Sequence, residues 1–348
     1  MTAIVHPAPK DICKERRDTK KRIWFFVGLV LLFVVSCFSI FIGTHTISPS
    51  VTMDAIYSFD QSNSDHLLVH HLRIPRTLLA IIVGGALGVS GVIMQGLARN
   101  PLADPGILGV NAGATVAVVS AIAFLGVYDV TYVMWFGLLG AALAGAGVFV
   151  LAGIRKGANP VRVVLAGTAL SVVLLALTHM ITVNSDEMVF EQFRHWSVGS
   201  FQGRGYNVVI PTSLLIAVGL IVAFSLSKAL DTVSLGEDIG HALGVNPVKI
   251  WSLASIAIVI LAGASTAAAG PISFVGLTAP HIARVISGPD HKWLLPFSLL
   301  IASTLAVVAD VLGRVIGYPN EISVGIMIAL IGGPFFVFLV KRWKISQL

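Results

Sequence analysis

The sequence predicts an all-α integral membrane protein, and three observations point to this fold class. Hydrophobic residues make up 56% of the 348 residues and charged residues only 11%, whereas soluble proteins contain roughly 25% charged residues. The apolar residues are gathered in ten runs of 15 to 23 residues, and about 20 helical residues cross a hydrocarbon core of about 30 Å. Many of the 34 glycines lie inside these runs, which is typical of helices that pack closely in a membrane.

The ten runs also predict the topology. They cover residues 23–43, 77–97, 107–126, 132–153, 161–183, 208–226, 250–270, 272–286, 294–312 and 322–340. An even number of spans places both termini on one side, and basic residues favour the cytoplasmic side. With both termini in the cytoplasm, only five of the 23 Lys and Arg residues lie outside, namely Arg73, Arg76, Arg194, Arg204 and Arg314. We therefore expect cytoplasmic termini.

The eighth run is the shortest and contains Pro280, His281 and Arg284. A re-entrant segment is the alternative to a full crossing at this position. If the run did not cross, the final run would be inverted, and the basic residues at positions 341, 342 and 344 would lie outside. For this reason we expect ten crossings.

Residues 1–22 differ from the rest of the chain, with seven basic and three acidic residues and no apolar periodicity. This composition predicts a disordered basic cytoplasmic tail in front of a ten-span domain over residues 23–348. The first apolar run has 21 residues, which is longer than the apolar part of a signal peptide. It is therefore expected to be an uncleaved first span.

Two blocks of the sequence carry a distinctive pattern. Residues 73–113 contain R-x-P-R, S-G-x-x-x-Q and N-P-L-A-x-P-x-x-L-G in that order, and residues 270–296 form a second block that contains glycines and prolines. Both blocks resemble the FecCD family of bacterial ABC-importer permeases, and the resemblance extends from about residue 70 to the C-terminus. It implies the fold of the cobalamin and siderophore importer permeases, with iron-siderophores, haem or cobalamin as cargo.

Three arginines near the outer ends of spans are candidate docking residues. From the residues alone, two roles for Arg73 and Arg76 are equally favoured: anchoring, with side chains that extend to lipid phosphates, and a functional role. Arg314 lies four residues after Asp310, close enough to pair with it within one helix. The resemblance implies instead that Arg73, Arg76 and Arg314 bind glutamates of an extracytoplasmic substrate-binding protein.

Two Asn-Pro pairs mark inner ends of spans. Asn100 and Pro101 follow the second run, and Asn159 and Pro160 precede the fifth. Such pairs are helix stop and start signals. The resemblance implies in addition that these two loops narrow the path at a cytoplasmic gate.

The largest polar interruption on the inner side, residues 228–249, contains a predicted amphipathic helix. Ser234 and Glu237 fit a capping box, Gly244 fits a helix end, and apolar residues between them share one face. A helix of this kind lies on the membrane surface or in a groove of a partner. The resemblance implies a coupling segment that contacts an ATPase subunit, with candidate residues Ser234, Leu235, Gly236, Glu237, Asp238, Ile239, Leu243 and Gly244.

The remaining motifs predict neither catalysis nor metal binding. The sequence has no G-x-x-x-x-G-K-[ST] phosphate loop and no H-E-x-x-H pair. His66, His70 and His71 are interpreted as solvated loop histidines, because no carboxylate or cysteine completes a recognisable ligand set with them. The aromatic residues of the outer loop 184–206 are interpreted as part of a membrane-interface belt. The resemblance implies as the alternative that this loop borders the substrate cavity.

Together these features predict a multi-pass permease subunit of an ABC importer in the bacterial cytoplasmic membrane, and not an enzyme. The expected cargo is a ferric siderophore, with haem or cobalamin as the alternative. An ion-coupled secondary transporter is less favoured, because Asp310 is the only carboxylate inside a predicted span. The expected partners are a second permease chain, identical or paralogous, two ATPase subunits, an extracytoplasmic binding protein and the lipid bilayer. No nucleic acid and no cofactor are expected on this chain, since ATP and Mg²⁺ would bind the ATPase subunits.

Overall fold

In the computed structural model, the described residues 9–153, 159–234 and 246–342 form helices and connecting loops, without a β-strand. A π-helical turn (Val69–Arg73) joins the third helix to the fourth, and a 3-10 helix (Pro105–Leu108) lies between the fourth and the fifth. The α-helices in chain order are α1 (Pro9–Phe41), α2 (Pro49–Tyr57), α3 (Ser64–Leu68), α4 (Ile74–Ala98), α5 (Val110–Leu125), α6 (Val130–Ala152), α7 (Pro160–Val183), α8 (Glu187–Ser197), α9 (Tyr206–Ser225), α10 (Ser227–Ser234), α11 (Pro247–Ala269), α12 (Val275–Ser287), α13 (His291–Ile316) and α14 (Val324–Arg342).

All ten predicted runs coincide with helices, and seven helical stretches are long and apolar enough to cross a membrane. These seven are α1, the continuous stretch Ser64–Ala98, α6, α7, α9, α11 and α13. The apolar parts of α5 and α14 are shorter. With 13 residues, α12 is about 20 Å long, less than the hydrocarbon core of about 30 Å. The all-helical membrane fold is confirmed for the described residues, while the ten crossings and the orientation of the termini stay predictions.

The predicted disorder of residues 1–22 is wrong for residues 9–22, because α1 begins at Pro9 and continues into the first apolar run. Extending an existing helix avoids the unfavourable nucleation step. Pro9 suits the first helical position, and opposite charges four residues apart, such as Asp18 and Arg22, favour the helix further. Residues 1–8 lie outside the described part of the chain.

In the segment that follows α1, a second helix begins at Ser48 and Pro49. The Ser48 side chain accepts the Val51 N–H at 3.3 Å and so caps α2. Met53 and Tyr57 are exposed, by 41% and 78%. This short helix therefore lies on the surface of the bundle.

At the centre of the bundle lies α4, in which every residue from 83 to 97 is buried. Glycines in α4 allow its backbone to lie close to that of α13. A Cβ atom at Gly88 would come within 2.6 Å of the Ser298 carbonyl oxygen, and one at Gly84 within 2.7 Å of the Ala302 carbonyl oxygen. Such small residues allow helix backbones to touch. The pair α4 and α13 therefore forms a closely packed unit that runs from one end of the bundle to the other.

Candidate functional site

Arg76 and Arg314, two of the three candidate docking arginines, bind the same carboxylate, Asp310. From the first turn of α4, Arg76 donates through Nε to both Asp310 oxygens at 3.1 and 3.0 Å, and through Nη2 to Oδ1 at 2.8 Å. Arg314 Nη2 donates to Asp310 Oδ2 at 2.9 Å, which confirms the predicted pair within α13. The Asp310 side chain is only 2% exposed. One buried carboxylate thus links α4 to α13.

Glu321 supplies the second carboxylate of this cluster, from the loop between α13 and α14. Arg76 Nη1 donates to Glu321 Oε2 at 2.7 Å. The Thr44 hydroxyl donates to Glu321 Oε1 at 3.3 Å. The loop is therefore tied both to α4 and to the segment after α1.

The third arginine, Arg73, caps the end of α1. Its Nη1 atom donates to the carbonyl oxygens of Ile40 and Phe41 at 3.0 Å each, and its Nη2 atom donates to that of His45. Arg314 Nη1 adds a bond to the Ser39 carbonyl oxygen at 2.8 Å. The last carbonyls of a helix lack partners within the helix, and they favour a cation. These two arginines therefore hold α1 against the bundle.

We call this end of the bundle the arginine end. A cavity of about 290 Å³ lies there, lined by residues that include Arg73, Arg76, Arg314 and Glu321. Asp310 and Glu321 pair directly with Arg76 and Arg314, whereas Arg73 feels a carboxylate, that of Asp65, only through its field. Arg73 is 8% exposed and the Arg76 side chain 11%. These side chains are turned into the protein and do not extend along its surface to lipid, and docking to a partner stays a prediction.

Arg204, beside the arginine cluster, was counted in the sequence only as one of the outer charges. It lies in the loop between α8 and α9 and is 8% exposed. Burial lowers the pKa of its guanidinium to about 10. Trp196, interpreted from the sequence as an interface aromatic, is only 5% exposed. No sequence motif identified this pair, because the burial of both residues depends on contacts with distant helices.

At the opposite end of the bundle, the two Asn-Pro pairs act as the predicted helix boundaries. The helix α4 ends at Ala98, and Arg99 takes a left-handed conformation (φ 48°) before Asn100 and Pro101. The Asn100 side chain accepts the Leu102 N–H at 2.9 Å. Asn159 caps α7 by accepting the Val161 N–H at 2.9 Å, with Pro160 at the first position. Both boundaries are confirmed, but no described contact joins the two pairs, and the gate stays a prediction.

Of the coupling candidates, only Ser234 lies within the described residues. It is the last residue of α10, and its hydroxyl donates to the Asp231 carbonyl oxygen at 2.6 Å. Leu235, Gly236, Glu237, Asp238, Ile239, Leu243 and Gly244 lie outside the described residues, so the capping box remains a prediction.

The helix α10, which leads into the coupling segment, is fastened to the central helix pair. The Asp231 carboxylate accepts the backbone N–H of His291 at 3.0 Å and lies 2.6 Å from its Nδ1 atom. Arg99 Nε donates to the Val233 carbonyl oxygen at 3.2 Å. His291 opens α13 and Arg99 follows α4. A movement of α10 would therefore act directly on both central helices.

Arg284, at the same end, also contacts the central helix. Its Nη2 atom donates to Gln95 Oε1 at 3.0 Å, and Gln95 Nε2 donates to the Gly276 carbonyl oxygen at 3.3 Å. Gln95 is 3% exposed. Arg284 and Gln95 thus bridge α12 and α4.

No group of three or more His, Cys, Asp or Glu side chains among the described residues is arranged to hold a metal ion. His66 is buried, and its Nδ1 atom accepts the Asp60 N–H at 3.1 Å. The interpretation as a solvated histidine is therefore wrong for His66, because its ring is folded into the loop and accepts a backbone hydrogen bond there. His70 lies 4.6 Å from the Phe59 ring, measured between centroids.

Comparison with known proteins identifies the family. The model of the FecCD transport family matches residues 31–342. The chain belongs to the FecCD transport family. It is 40% identical over 316 residues to the ferric enterobactin transport system permease protein FepD of Escherichia coli, covering 90% of this chain and 93% of that protein. It is also 35% identical over 333 residues to YfiZ of Bacillus subtilis, described as a probable siderophore transport system permease, covering 95% and 98% of the two chains.

A solved structure supports the same assignment. A chain described as a metal-chelate type ABC transporter in an inward-facing conformation superposes with a TM-score of 0.81 at 29% identity, covering 92% of this chain and 100% of that one. Like other members of the FecCD family, this chain is therefore a membrane transport permease.

Proposed function

We propose that this chain is a permease subunit of a bacterial ABC importer that carries a ferric siderophore across the cytoplasmic membrane. The observation that supports this cargo is the 40% identity, over nearly the whole chain, to a ferric enterobactin permease. The described helices supply length and apolarity for a membrane path. The chain moves its cargo by a change of conformation, and ATP and Mg²⁺ bind to a partner ATPase.

Ten crossings with both termini in the cytoplasm complete the proposed topology. The arginine end then faces outward, and the end with Asn100, Asn159 and α10 faces the cytoplasm. The positive-inside rule supports this orientation. Five of the 23 Lys and Arg residues lie outside, and the remaining 18 lie on the cytoplasmic side. The short α12 crosses with the help of the extended segment before it.

A second permease chain, identical or paralogous, packs against α7 in this proposal. Only 17% of the most apolar window of α7 is buried, against 83% for the stretch that contains α4. Most of the apolar surface of α7 is therefore not covered by its own chain and is available for contact with a second permease chain. The cargo path then runs between the two permeases, with the Asn100 and Asn159 loops at its cytoplasmic gate.

Two ATPase subunits contact residues 228–249 of the two permeases. The contacts of α10 with His291 and Arg99 support this assignment, because they connect the segment to both central helices. ATP binding and hydrolysis in the partner then shift the bundle between two conformations.

A substrate-binding protein docks at the arginine end through a carboxylate that enters the cavity beside Arg73. The side chain of Arg73 supports this docking, because among the described residues it donates to backbone carbonyls and pairs directly with no carboxylate. Arg73→Gln should weaken binding of the protein to the importer in nanodiscs. Glu321→Gln, which raises the positive charge, should preserve or strengthen it. Equal weakening by both changes would indicate a loss of structure and would contradict docking through charge.

Uptake of labelled iron tests the function. A strain that lacks this chain, with and without the gene restored, would be offered a panel of ferric siderophores, haem and labelled cobalamin. Accumulation of a ferric siderophore that requires the chain and stops when ATP is depleted is the expected result. Accumulation of haem or cobalamin alone would refute the proposed cargo. Uptake that persists after ATP depletion would refute the importer class.

A further inference from the structure

A second cavity at the arginine end is lined by buried hydrogen-bond donors for which the described residues supply no acceptor. It has a volume of about 200 Å³ and lies between the α5–α6 loop, α8, the α8–α9 loop and the start of α14. Arg204 and Trp196, which line it, are both more than nine-tenths buried. Neither Arg204 Nε nor Trp196 Nε1 has a hydrogen-bond partner among the described residues. Buried donors of this kind normally have partners.

The cavity has the charge of an anion site. Within the described part of the chain, no aspartate or glutamate lines it, and its other polar lining residues are uncharged or histidine. These residues are Tyr128, Gln192, His195, Ser200, Gln202 and Ser323. Burial lowers the pKa of Arg204 to about 10, so the guanidinium still carries its charge at neutral pH. Arg204 is thus a buried cation that forms no ion pair with the described residues.

The loop that carries Arg204 is built into the bundle. Gly199 and Gly203 have φ angles of 77° and 70°, a conformation that favours glycine. The Ser200 N–H donates to the Ala269 carbonyl oxygen at 2.7 Å, and the Gly199 carbonyl oxygen accepts the Gly325 N–H at 3.1 Å. Phe201 is fully buried. The loop is therefore attached to α11 and α14, and the donors are held in place before any ligand arrives.

We propose that Arg204 and Trp196 bind one anionic oxygen group, a carboxylate or catecholate, of the iron chelate that this permease transports. This inference rests on the proposed function and adds a binding site to it. A planar guanidinium matches two adjacent oxygens of such a group, and the indole N–H supplies a further donor. A cavity of about 200 Å³ holds one arm of a chelate and leaves the rest of the chelate outside.

The position of the cavity favours the chelate over a lipid headgroup as the source of this anion. Gln202 lines both this cavity and the cavity of the arginine cluster. The two cavities therefore adjoin at the end of the bundle where a binding protein would deliver its cargo.

Binding to the purified permease in phosphatidylcholine nanodiscs tests the site. The probes are gallium(III) tris-catecholate, which is anionic, and gallium(III) tris-hydroxamate, which is neutral. Arg204→Gln should weaken binding of the anionic probe at least about 10-fold, because it removes charge-assisted hydrogen bonds. Trp196→Phe should weaken it less, and the neutral probe should be insensitive to both changes. Arg194→Gln is the matched control, since Arg194 lies on α8 with an exposed side chain that pairs with Glu191.

The thermal midpoint separates a binding role from a structural one. Because Arg204 has no counter-charge among the described residues, Arg204→Gln should leave the midpoint unchanged or raise it. A lower midpoint together with equal loss of both probes would overturn the proposal. So would a wild-type permease that does not bind the anionic probe, or one whose binding of it is displaced by phosphatidylglycerol, which would identify the ligand as lipid.

Uptake in cells distinguishes failure of the site from failure of the proposed function. If the wild type accumulates an anionic ferric chelate and Arg204→Gln accumulates it equally well at limiting concentration, the site is refuted and the function stands. If the wild type accumulates no ferric chelate, the function itself is refuted. Transport restricted to a neutral tris-hydroxamate would also refute the site.

Discussion

The carboxylate of Asp310 offers the sharpest test of how the arginine end is held together. It accepts hydrogen bonds from Arg76 and Arg314, and its side chain is 2% exposed. Asp310→Asn keeps the shape of the side chain and removes the negative charge. Two buried guanidinium groups then lose their shared partner, while Arg76 keeps Glu321.

The expected loss follows from burial. Removing one partner of a buried ion pair costs about 3–5 kcal/mol. Since Arg76 keeps its second carboxylate, we expect the lower value, about 3 kcal/mol for Asp310→Asn. Glu321 has a 13% exposed side chain and pairs with one arginine, so Glu321→Gln should cost about 1 kcal/mol.

Thermal unfolding of the purified chain in detergent measures the difference. With the unfolding entropy per residue of soluble proteins, 3 kcal/mol corresponds to a decrease in Tm of roughly 4 °C. Adding Arg314→Met to Asp310→Asn should recover part of the loss, because it removes one uncompensated charge. An unchanged Tm for Asp310→Asn, or a larger decrease for Glu321→Gln, would refute the assignment of Asp310 as the central counter-charge.

Three further predictions concern other parts of the fold. Gly88→Ala should lower the free energy of unfolding by about 1–3 kcal/mol, and so lower Tm, because its Cβ would meet the Ser298 carbonyl oxygen in α13. Gly333→Ala should leave Tm unchanged, because a Cβ there would meet no atom of the described residues within 4 Å. Asp231→Asn should reduce chelate uptake more than ATP hydrolysis in the reconstituted importer, because it weakens the link to His291; parallel loss of both activities would contradict this. Asp129 caps α6 by accepting the Thr131 N–H at 2.8 Å, and hydrogen bonds from Thr131 lower the pKa of Asp129 below its usual 3.8. The stabilisation by this cap is therefore present above the usual pKa and lost as the pH falls through the lowered pKa of the folded state. Asp129→Ala should therefore lower Tm at neutral pH, with a difference from wild type that disappears in acid.

Much of the fold could be predicted because apolar periodicity and helix boundary signals are local. The ten runs coincide with helices, and the Asn159-Pro160 pair starts α7 as expected. The pair of Asp310 and Arg314 was predictable for the same reason, since four residues of helix bring two side chains together. The helical residues 9–22 were not predicted, because composition alone ignores that a neighbouring span removes the cost of nucleation.

The site was less predictable, because its geometry depends on contacts between residues far apart in sequence. Arg76 was identified from its motif, but its partners lie 234 and 245 residues away. Arg204 was seen only as an outer charge, since the backbone bonds that attach its loop to α11 and α14 join residues far apart in sequence. The sequence signal closest to it is the pair of glycines that flank the loop turn, Gly199 and Gly203. A buried arginine directly after a glycine of positive φ, as Arg204 follows Gly203, is a feature to look for in related chains.

Transport by the reconstituted importer tests the proposed function in a defined system. The purified chain, together with its ATPase and substrate-binding protein, would be placed in proteoliposomes and offered a radiolabelled ferric siderophore, with ATP on the ATPase side. We expect accumulation across the membrane that requires ATP, the binding protein and this chain. Accumulation that proceeds without ATP, or equally well in liposomes without this chain, would contradict the proposed function.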